Sequence, residues 1–268
     1  MELKVDYVSD IHLTHYVKYD ADISVINKFI MKNIGNQSKG EILVIAGDID
    51  ENLDRVNAVL NCCLNYYEKV IFVAGNHEYY IPHIKFLYMD EKAKEYEYNS
   101  NNKIIRLNEL YGDNENIIFL DRNSYNNGIF RYKDFLIAGD TLWYLPRSFL
   151  DWHYYYYPNS NDSRFIMSDL NKREKITNMH NESMQWYESL PNNLDLMISH
   201  VPPIKNKNNN RGNNCCYFNE VKDIKSSNWI YGHDHKSNEV TINDTKFVSN
   251  PWGYECKDFR IKTLTLKK

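Results

Sequence analysis

Short apolar segments that stop on side chains able to bind metal constrain this chain more than anything else in it. Residues 3–9 read as a strand that runs into Asp10 and His12. The continuous apolar run 42–46 is followed by Gly47-Asp48-Ile49-Asp50, and the run 70–74 by Gly75-Asn76-His77-Glu78. Between them lie two segments with helical spacing. Ile23, Ile26, Phe29, Ile30 and Ile34 mark 22–34, and Leu53, Val56, Val59 and Leu60 mark 53–66. Unbroken apolar runs suit strands covered on both faces, and the alternation β-α-β-α-β predicts a parallel core with right-handed crossovers. Parallel strands bring their carboxyl ends to one edge of the sheet, where α/β proteins hold ligands. Further on, 194–199 leads to His200, and 229–231 leads to Gly232-His233-Asp234-His235. Five strand ends can therefore share one pocket.

The rest of the chain is less regular. A charged helix is expected from Pro82 to about Tyr98 and a second over 103–111. Strands are expected at 117–120, 128–132 and 135–138. An aromatic-rich irregular segment over 144–163 precedes a mostly helical stretch, 165–190, that Pro191 ends. An Asn-rich loop follows His200 over 201–214. Late strands are expected at 229–231, 239–242, 246–249 and 259–266, largely antiparallel. With no internal repeat and no clear linker, the reading is a single domain over 1–268.

A chain of 268 residues buries enough surface to fold without a structural metal, so a metal site is free for chemistry. The net charge of −4 argues against a dedicated duplex-DNA binder, though a local basic groove would not conflict with it. No apolar run approaches the roughly 18 residues of a membrane span. Glu2, Lys4 and Asp6 make a poor signal peptide, so the expectation is a soluble, cytoplasmic protein without a membrane partner. Cys62, Cys63, Cys215, Cys216 and Cys256 form neither a disulfide framework nor a zinc ribbon and read as reduced thiols.

Asp10 and His12 are two residues apart, as are His233 and His235, so in extended chain each pair points to one side. Gly47, Gly75 and Gly232 precede candidate ligands, where tight turns favour glycine. Mixed Asp, His and Asn donors suit Mn, Fe, Zn or Ni rather than Ca. Two such cations roughly 3.5–4 Å apart can both generate a nucleophile and neutralise a transferring phosphoryl group.

Asp10-x-His12, Gly47-Asp48, Gly75-Asn76-His77-Glu78, His200 and Gly232-His233-x-His235 together resemble the five ordered motifs of the calcineurin-like metallophosphoesterases. Looser blocks resemble a bacterial and phage branch of that family: Gly139-Asp140-Thr141-Leu142-Trp143, Ser199-His200-Val201-Pro202-Pro203, Trp229-Ile230-Tyr231-Gly232-His233 and Asn250-Pro251-Trp252-Gly253-Tyr254. Val201 stands where many relatives carry a second His. The resemblance implies a four-layer α/β/β/α sandwich with two metals at the carboxyl edge of the strands. It implies one metal on Asp10, His12, Asp48 and His235, and another on Asp48, Asn76, His200 and His233, with Asp48 bridging. It further implies a metal-bridging hydroxide as nucleophile, His77 as general acid, and two divalent ions, Mn first, with Fe, Zn, Ni or Mg as alternatives. The substrate expected is a small phosphomonoester or phosphodiester, such as a nucleotide. A nuclease on short single strands and a non-catalytic scaffold are the rival readings. A protein Ser/Thr phosphatase would continue the second motif into Asp-Arg-Gly, where this chain has Ile49-Asp50-Glu51 after Asp48.

Bland accounts compete at several positions. Asp48 taken alone is as well explained as a helix N-cap. Gly139-Asp140 imitates Gly47-Asp48 but falls outside the implied ligand set, and reads as structural or supporting. Asp50 and Asp234 read equally as carboxylates orienting imidazoles or as solvated charge. His15, His83, His153 and His180 read as surface or helix histidines. Asn250 and Tyr254 read as border residues of the site or as a plain Asn-Pro turn. The aromatics from Trp143 to Tyr157 offer either core packing or a stacking surface. Lys205, Lys207 and Arg211 offer either a phosphate-contacting lid or a solvated loop.

Overall fold

The structure, a computed structural model, describes residues 1–81, 99–205 and 214–268. The helix expected over 82–98, His83, Lys207 and Arg211 lie outside the described residues.

Two sheets form the centre. In the first, β1 (Glu2–Val8), β2 (Ile42–Ala46), β3 (Lys69–Val73) and β4 (Ile117–Phe119) run parallel, and β11 (Lys262–Lys267) flanks β1 antiparallel. The second has the order β5-β6-β7-β8-β10-β9. Its strands are β5 (Ile129–Tyr132), β6 (Phe135–Asp140), β7 (Leu196–Ser199), β8 (Asn228–Tyr231), β9 (Asn238–Ile242) and β10 (Thr245–Ser249).

The period of two along each strand produces the layers. Leu3, Val5, Ile42, Val44, Ile71 and Val73 face Ile137, Leu196, Ile198, Ile230 and Val248 across the gap between the sheets. The alternate residues Leu43, Ile45, Val70 and Phe72 pack with Ile26 and Ile30 of α1 (Ile23–Asn33) and with Val56, Val59 and Leu60 of α2 (Leu53–Cys63). On the far side Met197, Trp229, Tyr231 and Phe247 pack with Trp186 and Tyr187 of the long helix Lys172–Ser189. The result is the expected α/β/β/α sandwich. Each fully buried aliphatic side chain contributes about 1.5–3 kcal/mol, and a one-residue slip of a strand would exchange its two faces. The register that positions the site is thus held by the core.

Three local expectations need correction. The late strands are not mainly antiparallel: β8 pairs parallel with both β7 and β10, and only β9 and β11 run antiparallel to their neighbours. The apolar β10 takes the inner position, and the more exposed β9 is left at the edge. The helix expected over 165–190 starts only at Lys172. Asn171 caps it by accepting from the N–H groups of Arg173 and Glu174 at 3.1 and 3.0 Å. Upstream, the Phe165 and Met167 carbonyls instead accept from Ile81 N–H and Ser100 N–H, at 2.8 and 2.9 Å. The segment expected to be irregular contains a π-helical stretch, Asp151–Tyr156, and a short helical turn, Asp162–Phe165. Trp143, Tyr144, Trp152 and Tyr156 are buried there, so these aromatics are packing.

Candidate metal centre

Asp10, His12, Asp48, His233 and His235 all have positive φ, between 43° and 70°. This left-handed region is sparsely used by non-glycine residues and marks functional turns when the surroundings hold it. Asp10 and His12 therefore do not converge by lying in extended chain. Each strand ends in a left-handed turn that swings its side chain over the sheet edge. Backbone bonds lock these turns together: Asp10 N–H donates to Gly47 O and His12 N–H to Asp48 O, both at 3.0 Å. Gly47 itself has φ 82°, as a turn glycine should. Gly75 and Gly232 do not have positive φ and answer to close approach instead. A Cβ on Gly75 would lie 2.2 Å from Asp48 Oδ1 and 2.6 Å from Asp48 N. A Cβ on Gly232 would lie 2.8 Å from Asp10 Oδ2.

All seven expected ligands meet at this edge. Asp10, His12, Asp48 and His235 form one group and Asp48, His200 and His233 another, with the donor atoms of each group within 4.8 Å of one another. In the first, His12 Nε2 is 3.1 Å from His235 Nε2 and 3.7 Å from Asp48 Oδ2, and His235 Nε2 is 3.3 Å from Asp10 Oδ1. In the second, His200 Nε2 lies 3.4 Å from Asp48 Oδ2 and 3.2 Å from His233 Nδ1. Asn76 Oδ1 joins that group, 2.8 Å from His200 Nε2 and 3.0 Å from His233 Nδ1. Asp48 Oδ1 accepts from His77 N–H at 2.9 Å, which turns Oδ2 toward both groups.

Hydrogen bonding on the outer side decides which ring nitrogen is free. His200 Nδ1 donates to Ala46 O at 2.8 Å and His233 Nε2 donates to Cys216 O at 2.7 Å. The lone pairs on His200 Nε2 and His233 Nδ1 are thereby directed inward, as metal ligation requires. Burial pushes the His12 imidazole down to about 3 and the His233 imidazole down to about 4, so both stay neutral donors. Burial pushes the Asp10 carboxyl up, but the adjacent His235 outweighs it and brings the group down to about 2. Burial likewise opposes ionisation of Asp48, and His200, His77 and His12 overcome it, leaving its carboxyl well below the ordinary range. His200 is desolvated as well, yet Asp48 and Asp10 raise it to about 10. The pocket thus favours positive charge between Asp48 and His200. A divalent cation satisfies that demand while the imidazole stays neutral, so the donor set fits the metals this architecture implies.

Two supporting groups, Glu78 and Glu51, were given no role in the sequence reading. Glu78, fully buried, accepts from the N–H groups of Asp48 at 3.0 Å, Ile49 at 2.7 Å and Gly75 at 2.7 Å, tying the β2 and β3 turns together. Its place directly after His77 was the available signal. Glu51 Oε1 meets His77 Nδ1 at 3.2 Å. Tyr254 stands against His12, His15 and His235, with ring centroids 4.5–4.6 Å apart, and so borders the site. Asn250 braces it from behind: its carbonyl accepts from Ser9 N–H at 3.1 Å.

Other candidates fall outside. Asp50 is neither a solvated charge nor in contact with an imidazole. It is buried and pairs with Arg55 Nε at 3.0 Å, and that guanidinium also binds the carbonyls of Val17, Lys18 and Tyr19. Asp234 is buried and accepts from Lys236 N–H at 3.0 Å within its own turn. Asp140 is structural, taking Arg122 Nη1 at 3.0 Å and Ser183 Oγ at 2.7 Å. His153 stacks on Phe149, and His180 bonds Trp143 O, both away from the cluster. All five cysteines are free thiols.

A cavity of ≈ 290 Å³ opens over the cluster, lined by Asp48, Asn76, His77, His233 and His235. Tyr155, Asn159, Ser160, Asn161, Asn214, Tyr217 and Tyr254 also line it. No helix among the described residues is long and apolar enough to cross a membrane.

Residues 3–237 match the calcineurin-like phosphoesterase family, and the chain belongs to it. It is 24% identical over 275 residues to uncharacterized protein L509 of Acanthamoeba polyphaga mimivirus, a match covering 92% of this chain and 90% of that protein. Among solved structures it is similar to the phosphopantetheinyl hydrolase PptH of Mycobacterium tuberculosis, with TM-score 0.66 and 14% identity over 97% of this chain and 95% of that one. That likeness establishes the fold. Family and donor cluster together define, in general terms, a metal-dependent phosphoesterase.

Two predictions follow from these contacts. Gly75→Ala should force Asp48 away and weaken Mn²⁺ binding by roughly 10–100-fold, measured by calorimetry; wild-type affinity in that variant would contradict the packing. Asp121, beside Asp140, is raised from its usual 3.8 to about 6, by burial first and then by that neighbouring carboxylate. A carboxyl raised on folding stabilises fully below its unfolded value, and that contribution is lost as pH rises through about 6. Asp121→Asn should therefore remove a loss on the order of 3 kcal/mol between about pH 4 and 6, read from urea midpoints across that range.

Proposed function

We propose that the chain, acting as one catalytic unit over 1–268, is a binuclear metal-dependent phosphohydrolase for a small phosphomonoester or phosphodiester such as a nucleotide. The observation that carries this is the shared carboxylate. Asp48 Oδ2 sits between two donor groups that otherwise have no residue in common. On this reading Asp10, His12, Asp48 and His235 hold one cation, and Asp48, Asn76, His200 and His233 the other. Mn²⁺ is the first choice and Fe, Zn, Ni or Mg the alternatives. Two such cations supply an activated water and neutralise charge on the phosphoryl group.

The chain's own groups do the remaining work. His77 faces the cavity with Nε2 3.9 Å from Asp48 Oδ2, while Nδ1 is engaged by Glu51 at 3.2 Å. Burial opposes protonation of His77, but Asp48 and Glu51 outweigh it and raise the group above its usual 6.5. With Nδ1 engaged by Glu51, Nε2 is the ring nitrogen left to hand a proton to the departing oxygen. The cavity's asparagines and tyrosines supply neutral hydrogen-bonding and stacking partners for the leaving group. Its size favours a small substrate over a polymer, which sets this reading above the single-strand nuclease.

With Mn²⁺ the protein should hydrolyse a bis-aryl phosphodiester or an aryl phosphate, and Asp48→Asn should abolish turnover. A wild-type chain inert with every metal tried would favour a binding scaffold instead. His77→Ala should retain both metals and lose about 10²–10⁴-fold in kcat on substrates with poor leaving groups, but far less on nitrophenyl esters. Equal losses on both would remove His77 as the acid.

A further inference from the structure

The notable group that the reading above does not use is Asp162. It lies in the helical turn Asp162–Phe165, far in sequence from every motif, yet it is buried at 3% exposure and lines the cavity. Its Oδ1 accepts from Asn76 Nδ2 at 2.9 Å and from Tyr80 OH at 2.5 Å, and its Oδ2 accepts from Tyr144 OH. Asn76 Nδ2 also donates to Tyr80 OH at 2.7 Å. Asn76 Nδ2 is thus bound to the Asp162–Tyr80 pair.

An asparagine amide has two nearly isosteric orientations, and its partners choose between them. With the other orientation, Asn76 would set its carbonyl oxygen against Asp162 Oδ1 and turn its N–H groups toward His200 and His233. The outer face would then set acceptor against acceptor, and the inner face would offer N–H groups where a cation needs an oxygen donor. We propose that Asp162 is a positioning residue: it fixes the Asn76 amide so that Oδ1, not Nδ2, is presented beside His200 and His233, and thereby completes the second cation site. The same carboxylate holds Tyr80, whose ring faces His77 at 4.4 Å. The aromatic excursion between β6 and the long helix acquires a role from this. Its buried Tyr144 and Tyr156 form the wall from which Asp162 reaches the site.

This inference rests on the binuclear reading, and metal binding separates the two. Mn²⁺ would be titrated calorimetrically into metal-free wild type, Asp162→Asn and Tyr80→Phe, with thermal unfolding run alongside. Wild type should take two ions. Asp162→Asn, which can offer an N–H to Asn76 and so release the amide, should keep one ion at wild-type affinity and weaken the other about 10–100-fold, with activity recovering at high Mn²⁺. Two ions bound by a folded Asp162→Asn with wild-type affinity would overturn the proposal and leave the binuclear reading intact. A wild-type chain binding fewer than two ions would remove that reading, and this inference with it. If Asp162→Asn does not fold, Tyr80→Phe decides: it removes the hydroxyl shared by Asn76 and Asp162 and should weaken the same ion about 10-fold, and an unchanged second affinity there would overturn the proposal.

Discussion

Everything at this site depends on holding buried carboxylates close together against their own repulsion. Asp10 and Asp48 are both essentially inaccessible to water, and the charge between them is matched by imidazoles alone. Desolvated anions are costly unless paired. The architecture meets this with rigid backbone. Five residues are kept in left-handed turns, and the N–H groups of Asp10, His12 and His233 tie three of them to neighbouring strand ends. Glu78 gathers the N–H groups of the β2 and β3 turns, so the scaffold under Asp48 does not relax when charge arrives or leaves.

That rigidity connects the core to the chemistry. The two sheets interlock through alternate residues, so a shift in strand register would move a ligand and expose a core side chain together. Site geometry is therefore protected by the free energy of the sandwich. The outer bond of His200 to Ala46 O acts in the same sense, because it sets the ring nitrogen by contact with β2, and the turn Cys215–Tyr217 does the same for His233 through Cys216 O.

Much of this was legible in the sequence. The unbroken apolar runs and the intervening helical stripes marked the parallel strands, and the residues directly after them marked the candidate ligands, because strand ends and turn residues are local properties of a chain. The aromatic segment after Trp143 was open to packing or stacking, and its contribution of Asp162 was not legible at all. A single aspartate in an irregular stretch has no local signature, and its partner Asn76 lies 86 residues away. Asp50 was open to two readings, and both missed the buried pair with Arg55. The late strands misled because chain order does not say which strand will insert between two others.

The sequence alone determined the parallel strands, the motifs by which the chain resembles its family and the seven candidate donor side chains, since each rests on residue type and short-range spacing. Tertiary structure decided what those donors can do. Only the folded chain brings Asp48 Oδ2 beside both donor groups, sets the outer ring nitrogens of His200 and His233 on carbonyls, and places Asn76 against Asp162. Those facts depend on angles between groups that meet only after distant segments pack, and no local pattern encodes such angles.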